Sequence, residues 1–331
     1  NYKYRNLVFE GGGVKGIAYG GALEALDEIG VLKDIKRVAG TSAGAITAAL
    51  LCLNYSAKEI GEIISKTDFG KFEDNTFFII RDMIRLFNKY GWNKGESFKK
   101  WIGDLVENKT GKREYTFMDL HNDTVPYGYK DLYVICSNIT KQRADVLSYE
   151  TTPNLSIKDA IRMSMGIPIY FASIKNSDGD TIVDGGVTLN YPLTLFDYEK
   201  YLDNNLNGIK VDYNSEDEYA FNYETLGFRV DSKEEMNYLN PKWIGDKNLT
   251  KNLKNYIGAL ISFMMETVNR RHLHKNDWNR TVFIDSLEIK TTDFKLKSDK
   301  INSLIESGKE SVKNYFEWKK NDTTEWNKKP I

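Results

Sequence analysis

Gly40-Thr41-Ser42-Ala43-Gly44 is the stretch on which the reading of this chain turns. It has the form G-x-S-x-G. Ahead of it runs Ile35 to Ala39, apolar but for Lys36 and Arg37, and behind it the small apolar stretch Ala45 to Leu53. Strand, sharp turn and helix in that order is the setting of a nucleophile elbow. A serine hydroxyl is a weak nucleophile until it is held exposed beside a base, and a tight turn would lift Ser42 out of the sheet. Gly40 and Gly44 remove Cβ atoms that would crowd such a turn. A helix starting after Ser42 would aim its positive end at developing negative charge. The plainer alternative is a small-residue turn, and the five residues alone do not decide between the two.

Upstream, Arg5 to Glu10 reads as a first strand, with Leu7-Val8-Phe9 apolar throughout, as in a buried parallel strand. It enters Gly11-Gly12-Gly13-Val14-Lys15-Gly16, and an amphipathic helix follows through Ile17, Leu23, Leu26 and Ile29 to a C-cap at Gly30. The opening is therefore β-α-β-α, which points to a parallel sheet covered by helices. The glycine run supports two chemistries. As G-x-G-x-x-G through Gly11, Gly13 and Gly16 it suits a dinucleotide. That site wants an acid ending the second strand, whereas Asp34 precedes that strand and the serine turn ends it. As an oxyanion hole, the run would turn the amides of Gly12 and Gly13 toward one point ahead of a helix dipole. Lys15 would steady the loop or attract an anionic head group. The oxyanion reading is preferred because the serine motif lies on the next βα unit. A Walker loop is excluded, since Ile17 follows Gly16.

Composition narrows the field. The 331 residues suit one large domain or two small ones, and the net charge of -1, with both signs interspersed, argues against nucleic-acid binding by bulk electrostatics. Cys52 and Cys136 lie in apolar runs and read as reduced core residues. His121, His272 and His274 are badly spaced for a zinc site, and the sequence calls for no metal or cofactor. There is no apolar run of about 18 residues and no signal peptide. The chain starts at Asn1 without a methionine, which leaves room for a trimmed leader, so the compartment is open between cytoplasmic and exported.

Further along, Ser56 caps a helix through Ile64, and Glu96 to Glu107 is another helix. Asp131 to Cys136 and Arg143 to Ser148 read as strands, and Ile157 to Met165 as a helix. Ser173 to Val183 is a hairpin turning at Asn176 to Asp180 and delivering Asp184-Gly185-Gly186. Asn204 to Tyr223 reads as a polar loop, Leu226 to Val230 and Val282 to Asp285 as strands. Leu253 to Arg271 reads as a core helix with Ile257, Leu260, Ile261, Met264 and Val268 inward. Ile301 to Trp318 is a terminal helix and the last dozen residues a frayed tail.

Ser42 needs a base. His272 and His274 sit among Arg270, Arg271 and Lys275, and His121 lies in a polar stretch with no acid arranged beside it, so all three read as solvated. Asp184 stands out among the carboxylates. It ends an apolar strand, and Gly185 and Gly186 would let it approach another loop. As the carboxyl end of a strand it would face the same crevice as Ser42, although Asp-Gly-Gly in isolation suits a hairpin turn equally.

Together, Gly11 to Gly16, Gly40 to Gly44 and Asp184 to Gly186 resemble the patatin-like phospholipases, whose pattern is G-G-G-x-[KR]-G, G-x-S-x-G and D-G-[GA] in that order. Ala160 to Phe171 and Asn190-Tyr191-Pro192-Leu193 resemble the family blocks around the aspartate. The likeness is good over residues 5–192 and loose through 193–331, where Phe294-Lys295-Leu296 and the helix near Gly308 resemble bacterial members. It implies a three-layer α/β/α fold with a mostly parallel central sheet, read as one domain over 1–331 with 193–331 as helical and loop elaboration. It implies calcium-independent hydrolysis of phospholipid or other acyl-ester lipids by a Ser42–Asp184 dyad. It allows transient membrane contact and a protein activator, without requiring the latter. The rivals are a catalytically silent membrane- or partner-binding protein on the same scaffold and, further off, a dinucleotide-binding oxidoreductase. For membrane contact, Thr76 to Trp92 offers Phe77, Ile80, Ile84 and Phe87 on one face with Arg81, Arg85 and Lys89 beside them. A helix packed on the sheet with its basic face in water is the preferred reading of that segment.

Overall fold

The fold is that of a computed structural model describing residues 3–67, 91–93, 95–202, 208–210, 219–232, 256, 260, 263, 275–291, 293 and 296–321. β1 (Asn6–Phe9) passes through a 3-10 turn at Gly13–Ile17 into α1 (Ala18–Glu28). β2 (Arg37–Thr41) passes into α2 (Ala43–Cys52) with only Ser42 between them. α3 (Ala57–Lys66) starts at a capping box in which Ser56 and Glu59 satisfy one another's backbone amides. α4 (Glu96–Thr110), β3 (Asp131–Asn138), β4 (Arg143–Leu147), α5 (Ile157–Ser164), β5 (Ile174–Lys175) and β6 (Thr181–Asp184) follow. β7 (Thr225–Asp231), β8 (Thr281–Asp285) and α6 (Ser298–Asn321) come from the last third of the chain.

These eight strands form one sheet in the order β8-β7-β1-β2-β3-β6-β5, with β4 on β3. From β8 to β3 neighbours are parallel, while β4, β6 and β5 add antiparallel pairs. Both faces of the centre are covered, which is why Leu7, Val8 and Phe9 are apolar in succession. Leu7, Phe9, Val38, Leu132 and Val134 point into the larger core beneath α1, α2 and α3. Val8, Ala39 and Tyr133 point the other way, against Phe196 and Tyr201 from the turns at 193–201. Cys52 and Cys136 are buried free thiols.

β3 explains the site. Its edge facing β4 is occupied from Val134 to Asn138. A strand has two edges, so β2 and β6 share the other. β2 pairs along it up to Thr41↔Ile135, and β6 takes over at Asp184↔Cys136. β2 runs parallel to β3 and β6 antiparallel, so the two carboxyl ends meet head-on.

In the last third, β7 and β8 form where strands were expected, at Leu226 to Val230 and Val282 to Asp285, and they join the central sheet. Other parts of it differ from expectation. Within the stretch read as a polar loop, Gly208–Lys210 and Ala220–Asn222 pair antiparallel, because Ala220 and Phe221 are buried. Tyr256, Leu260 and Phe263 have helical backbone, but Leu260, expected inward, is 45% exposed. The other inward positions of that helix, the basic row at 81–89 and the terminal tail beyond 321 lie outside the described residues.

A buried ion pair locks the lower end of this region. Arg280 donates to both Asp197 oxygens at 2.6 Å, to Asp277 at 2.7 Å and to the Asn222 carbonyl at 3.1 Å. Burial works against the guanidinium charge, but these partners hold its pKa above the usual value. Removing one side of such a pair strands the other in a low-dielectric interior. Arg280→Met is therefore expected to destabilise the fold by about 3–5 kcal/mol, read as a lower urea midpoint; an unchanged midpoint would mean that the pair is dispensable.

Candidate active site

The elbow is built as its residues demand. Ser42 sits between β2 and α2 with φ 53° and ψ −123°, a left-handed conformation that a non-glycine residue holds only under constraint. A Cβ on Gly40 would run into the Gly44 carbonyl, and one on Gly44 into the Phe9 carbonyl, so neither position admits a side chain. The Ser42 amide donates to Ser164 Oγ at 2.9 Å. Its own Oγ donates to Met165 Sδ at 3.3 Å. Thr41 Oγ1 donates to the Leu189 carbonyl at 3.1 Å, which ties the elbow to the loop after Asp184.

Asp184 is fully buried. Its Oδ1 accepts the Gly186 amide at 2.7 Å, its carbonyl accepts Ser137 Oγ at 2.7 Å, and its amide donates to the Gly166 carbonyl at 2.9 Å. Oδ2 is buried and has no hydrogen-bond donor at good geometry among the described residues. Burial raises the carboxyl pKa to about 6, opposed by the Gly186 amide and by the nearby Ser42 hydroxyl. Ser42 and Asp184 are thus neighbours, with the resting hydroxyl turned to Met165.

The glycine run lies against the elbow. A Cβ on Gly11 would sit 3.2 Å from the Ser42 Cβ, and one on Gly16 would sit 3.1 Å from the Ala43 Cβ. Its amides can be accounted for one by one. Gly11 donates to the Asn190 carbonyl, Val14 to the Thr291 carbonyl and Lys15 to the Gly12 carbonyl, each at 3.1 Å. The amides of Gly12 and Gly13 have no acceptor among the described residues. Gly13 has φ +54°, and a Cβ there would strike the Thr291 carbonyl, so only glycine fits. The Lys15 side chain is buried, which suits steadying the loop more than attracting a head group from solvent. Asn190 Nδ2 donates to the Gly11 carbonyl at 2.8 Å, binding the glycine loop to the Asp184 loop.

The residues singled out in the sequence therefore come together: the glycine loop, the elbow and the Asp-Gly-Gly turn share one locality. Asp34 lies in a 3-10 turn before β2, away from the end of that strand. His121 needs correction, because an acid does stand beside it: its Nδ1 is 2.7 Å from Asp131 Oδ1, and its ring stacks on Tyr149 at 3.7 Å. Asp131 begins β3, at the opposite end of the sheet from Ser42, so the pair is structural. His272 and His274 lie outside the described residues. Ser137 and Thr291 had no assigned part in the sequence reading, and Ser164 and Met165 entered it only within the block Ala160 to Phe171, without a role of their own; the packed fold brings all four here. Among the described residues no group of three or more His, Cys, Asp or Glu could hold a metal, and no helix is long and apolar enough to cross a membrane.

An α/β sheet carrying a strand–serine–helix elbow beside a glycine-rich loop is the arrangement of the α/β hydrolases. The chain belongs to the patatin-like phospholipase family: the family's sequence profile, described as Patatin-like phospholipase, matches residues 7–197. Its architecture is accordingly the three-layer α/β/α fold with a mostly parallel sheet. The protein YqhO of Bacillus subtilis (strain 168) is 33% identical over 319 residues, covering 92% of this chain and 96% of that protein. The probable lipid hydrolase 463L of Invertebrate iridescent virus 6 is 33% identical over 195 residues, 58% of this chain and 63% of that protein. Among solved structures, VipD from Legionella pneumophila aligns with TM-score 0.60 at 19% identity over 95% of this chain and 67% of that one. ExoU in the heterodimeric ExoU–SpcU complex of the Pseudomonas aeruginosa type III secretion system aligns with TM-score 0.54 at 19% identity, over 95% and 51%. At such identities these structures speak to the fold. The family acts on lipid substrates, and lipid acyl hydrolysis is the activity that it carries.

The buried carboxyl has a consequence for stability. Its raised pKa means that the folded chain binds the proton more tightly than the unfolded one. Asp184 therefore costs nothing below its ordinary value of 3.8, costs more as pH climbs to about 6, and exerts its full cost above that. Asp184→Asn is expected to be more stable than the native chain at neutral pH by up to roughly 3 kcal/mol, an advantage that vanishes in acid. Urea midpoints across pH measure this; a variant less stable than the native chain at neutral pH would contradict it.

Proposed function

We propose that the chain is a lipid acyl hydrolase of phospholipase A type working through a Ser42–Asp184 dyad, with the amides of Gly12 and Gly13 as the oxyanion hole. The observation that carries this reading is the coincidence in one locality of a strained, buried serine, a buried carboxylate oxygen and two glycine amides, the last two without hydrogen-bond partners among the described residues.

The reaction follows from those parts. The Ser42 hydroxyl turns from Met165 toward Asp184, passes its proton to Oδ2, and Oγ attacks the ester carbonyl. The carbonyl electrons collect on the oxygen, where Gly12 and Gly13 donate to it. The intermediate collapses, the leaving alcohol takes the proton from Asp184, and the acyl group stays on Ser42. Water then gives its proton to Asp184 and attacks the acyl carbonyl. Ser42 leaves, recovers the proton, and the fatty acid departs. No metal or cofactor takes part in any step. A protein activator is compatible with the scheme, though no step depends on one. The lipid carries its ester to the site from a membrane surface, so contact with that surface is transient.

A carboxylate whose pKa lies near 6 suits this work better than one at 3.8, because it is the stronger base toward the Ser42 proton and is still ionised at neutral pH. Ser42→Ala and Asp184→Asn are each expected to abolish release of fatty acid from phospholipid vesicles while the circular dichroism spectrum stays native. Full turnover by Asp184→Asn would reject the dyad. The native rate should rise through about pH 6, as Asp184 ionises, and level off above it; a rate already at its plateau near pH 4 would show that some other base is at work.

A further inference from the structure

Three consecutive residues after the middle of the chain touch both members of the proposed dyad, and the reaction scheme gives them no part. Ser164 Oγ accepts the Ser42 amide at 2.9 Å. Met165 Sδ accepts the Ser42 hydroxyl at 3.3 Å. The Gly166 carbonyl accepts the Asp184 amide at 2.9 Å. One short segment at the end of α5 thus holds the nucleophile by its backbone and its side chain, and the carboxylate by its backbone.

Ser164 is the centre of this arrangement. It is completely buried, and its hydroxyl donates to the Ile135 carbonyl at 2.6 Å while accepting from Ser42. Ile135 is the β3 residue that pairs with Thr41, next to the one that pairs with Asp184. The Ser164 hydroxyl therefore bridges β3 to Ser42 where β2 and β6 meet. The left-handed backbone of Ser42 sets its amide into this side-chain oxygen, and a buried amide without an acceptor would favour relaxation of the turn. The bridge needs a group that donates and accepts at once at a fully buried position, which a serine hydroxyl supplies. The thioether of Met165 is a weak acceptor, so it parks the Ser42 hydroxyl without holding it against transfer to Asp184.

We infer that Ser164 is a positioning residue that holds Ser42 in its strained, attack-ready conformation by bridging its amide to β3. The inference rests on the Ser42–Asp184 reading. Its action is through Ser42; it does not touch substrate.

The test compares the native chain with Ser164→Ala, which keeps neither end of the bridge, and Ser164→Cys, which keeps a weak form of both. A soluble short-chain p-nitrophenyl ester removes membrane binding from the measurement. Ser164→Ala is expected to lose about 10- to 100-fold in kcat, the scale of a small misplacement of a reacting group, with KM nearly unchanged. Ser164→Cys should fall between. The Ser42 amide resonance in ¹H–¹⁵N NMR should move upfield in Ser164→Ala. A purely structural role would lower the unfolding midpoint but leave kcat of the folded fraction and the Ser42 resonance in place. A Ser164→Ala kcat within about twofold of native, with no shift at Ser42, overturns the inference. If native and Ser42→Ala turn over alike, the dyad reading fails, and the Ser42 resonance still decides whether Ser164 holds the turn.

Discussion

Two strands end against each other on one edge of β3, and the site exists because of that collision. β4 fills the opposite edge over Val134–Asn138, so β2 and β6 share what remains, and Thr41 and Asp184 become partners of adjacent residues, Ile135 and Cys136. Neither strand can continue. The chain after Thr41 turns sharply out of the sheet at Ser42, and the chain after Asp184 turns at Gly185–Val187. Ser42 and Asp184 are thereby set side by side by backbone register, before any side-chain contact is considered. The glycine loop at the end of β1, one strand over, completes the locality through Asn190 and Thr291.

The site is poor in favourable interactions of its own. Ser42 carries backbone strain, Asp184 is an ionisable group taken out of water, and two glycine amides have no acceptor among the described residues. Each of these lowers stability and raises reactivity. The compensation lies elsewhere. The central strands bury apolar side chains on both faces, and Arg280 with Asp197 ties the 193–201 turns to the start of β8. A second buried group stands behind the glycine loop. Arg229 lies 3.4 Å from Glu10 Oε1 and 3.0 Å from Asp231 Oδ1, and Glu10 Oε2 accepts the Val230 amide at 3.2 Å. Burial opposes the Arg229 charge, but Asp231 and Glu10 keep its pKa above the ordinary value. Glu10 immediately precedes Gly11, so this cluster anchors the glycine loop that lies against Ser42.

Local patterns were legible where they were dense. Three apolar residues before a glycine run, and a serine between small residues before an apolar helix, announced β1, β2, α1 and α2 with little ambiguity, because each element there is short and continuous. Asp184 does lie beside Ser42, but by a route other than the one the sequence suggested. The sequence suggested the carboxyl end of a strand facing the crevice, as in a parallel sheet; in fact β6 is antiparallel to β3, and register brings the aspartate to Ser42. Strand direction is a property of pairing and leaves no mark on four residues. Asp131 beside His121 and the strands within 204–223 were missed for the same reason, since partners distant in sequence create them. Leu260 fits a helical apolar stripe, yet periodicity does not say which stripe a helix turns inward. Thr291 carries no local signature, and Ser164, though inside the block Ala160 to Phe171, has nothing beside it that marks a contact with Ser42.

The account stands on one serine oxygen lying between one carboxylate and a pair of main-chain donors. A crystal structure of the chain after reaction with an alkyl fluorophosphonate tests that directly. The phosphorus should be bonded to Ser42 Oγ, with the phosphoryl oxygen accepting from the amides of Gly12 and Gly13 and Asp184 Oδ2 within contact of Oγ. A probe attached to another residue, or a phosphoryl oxygen turned away from the glycine loop toward other donors, would contradict it.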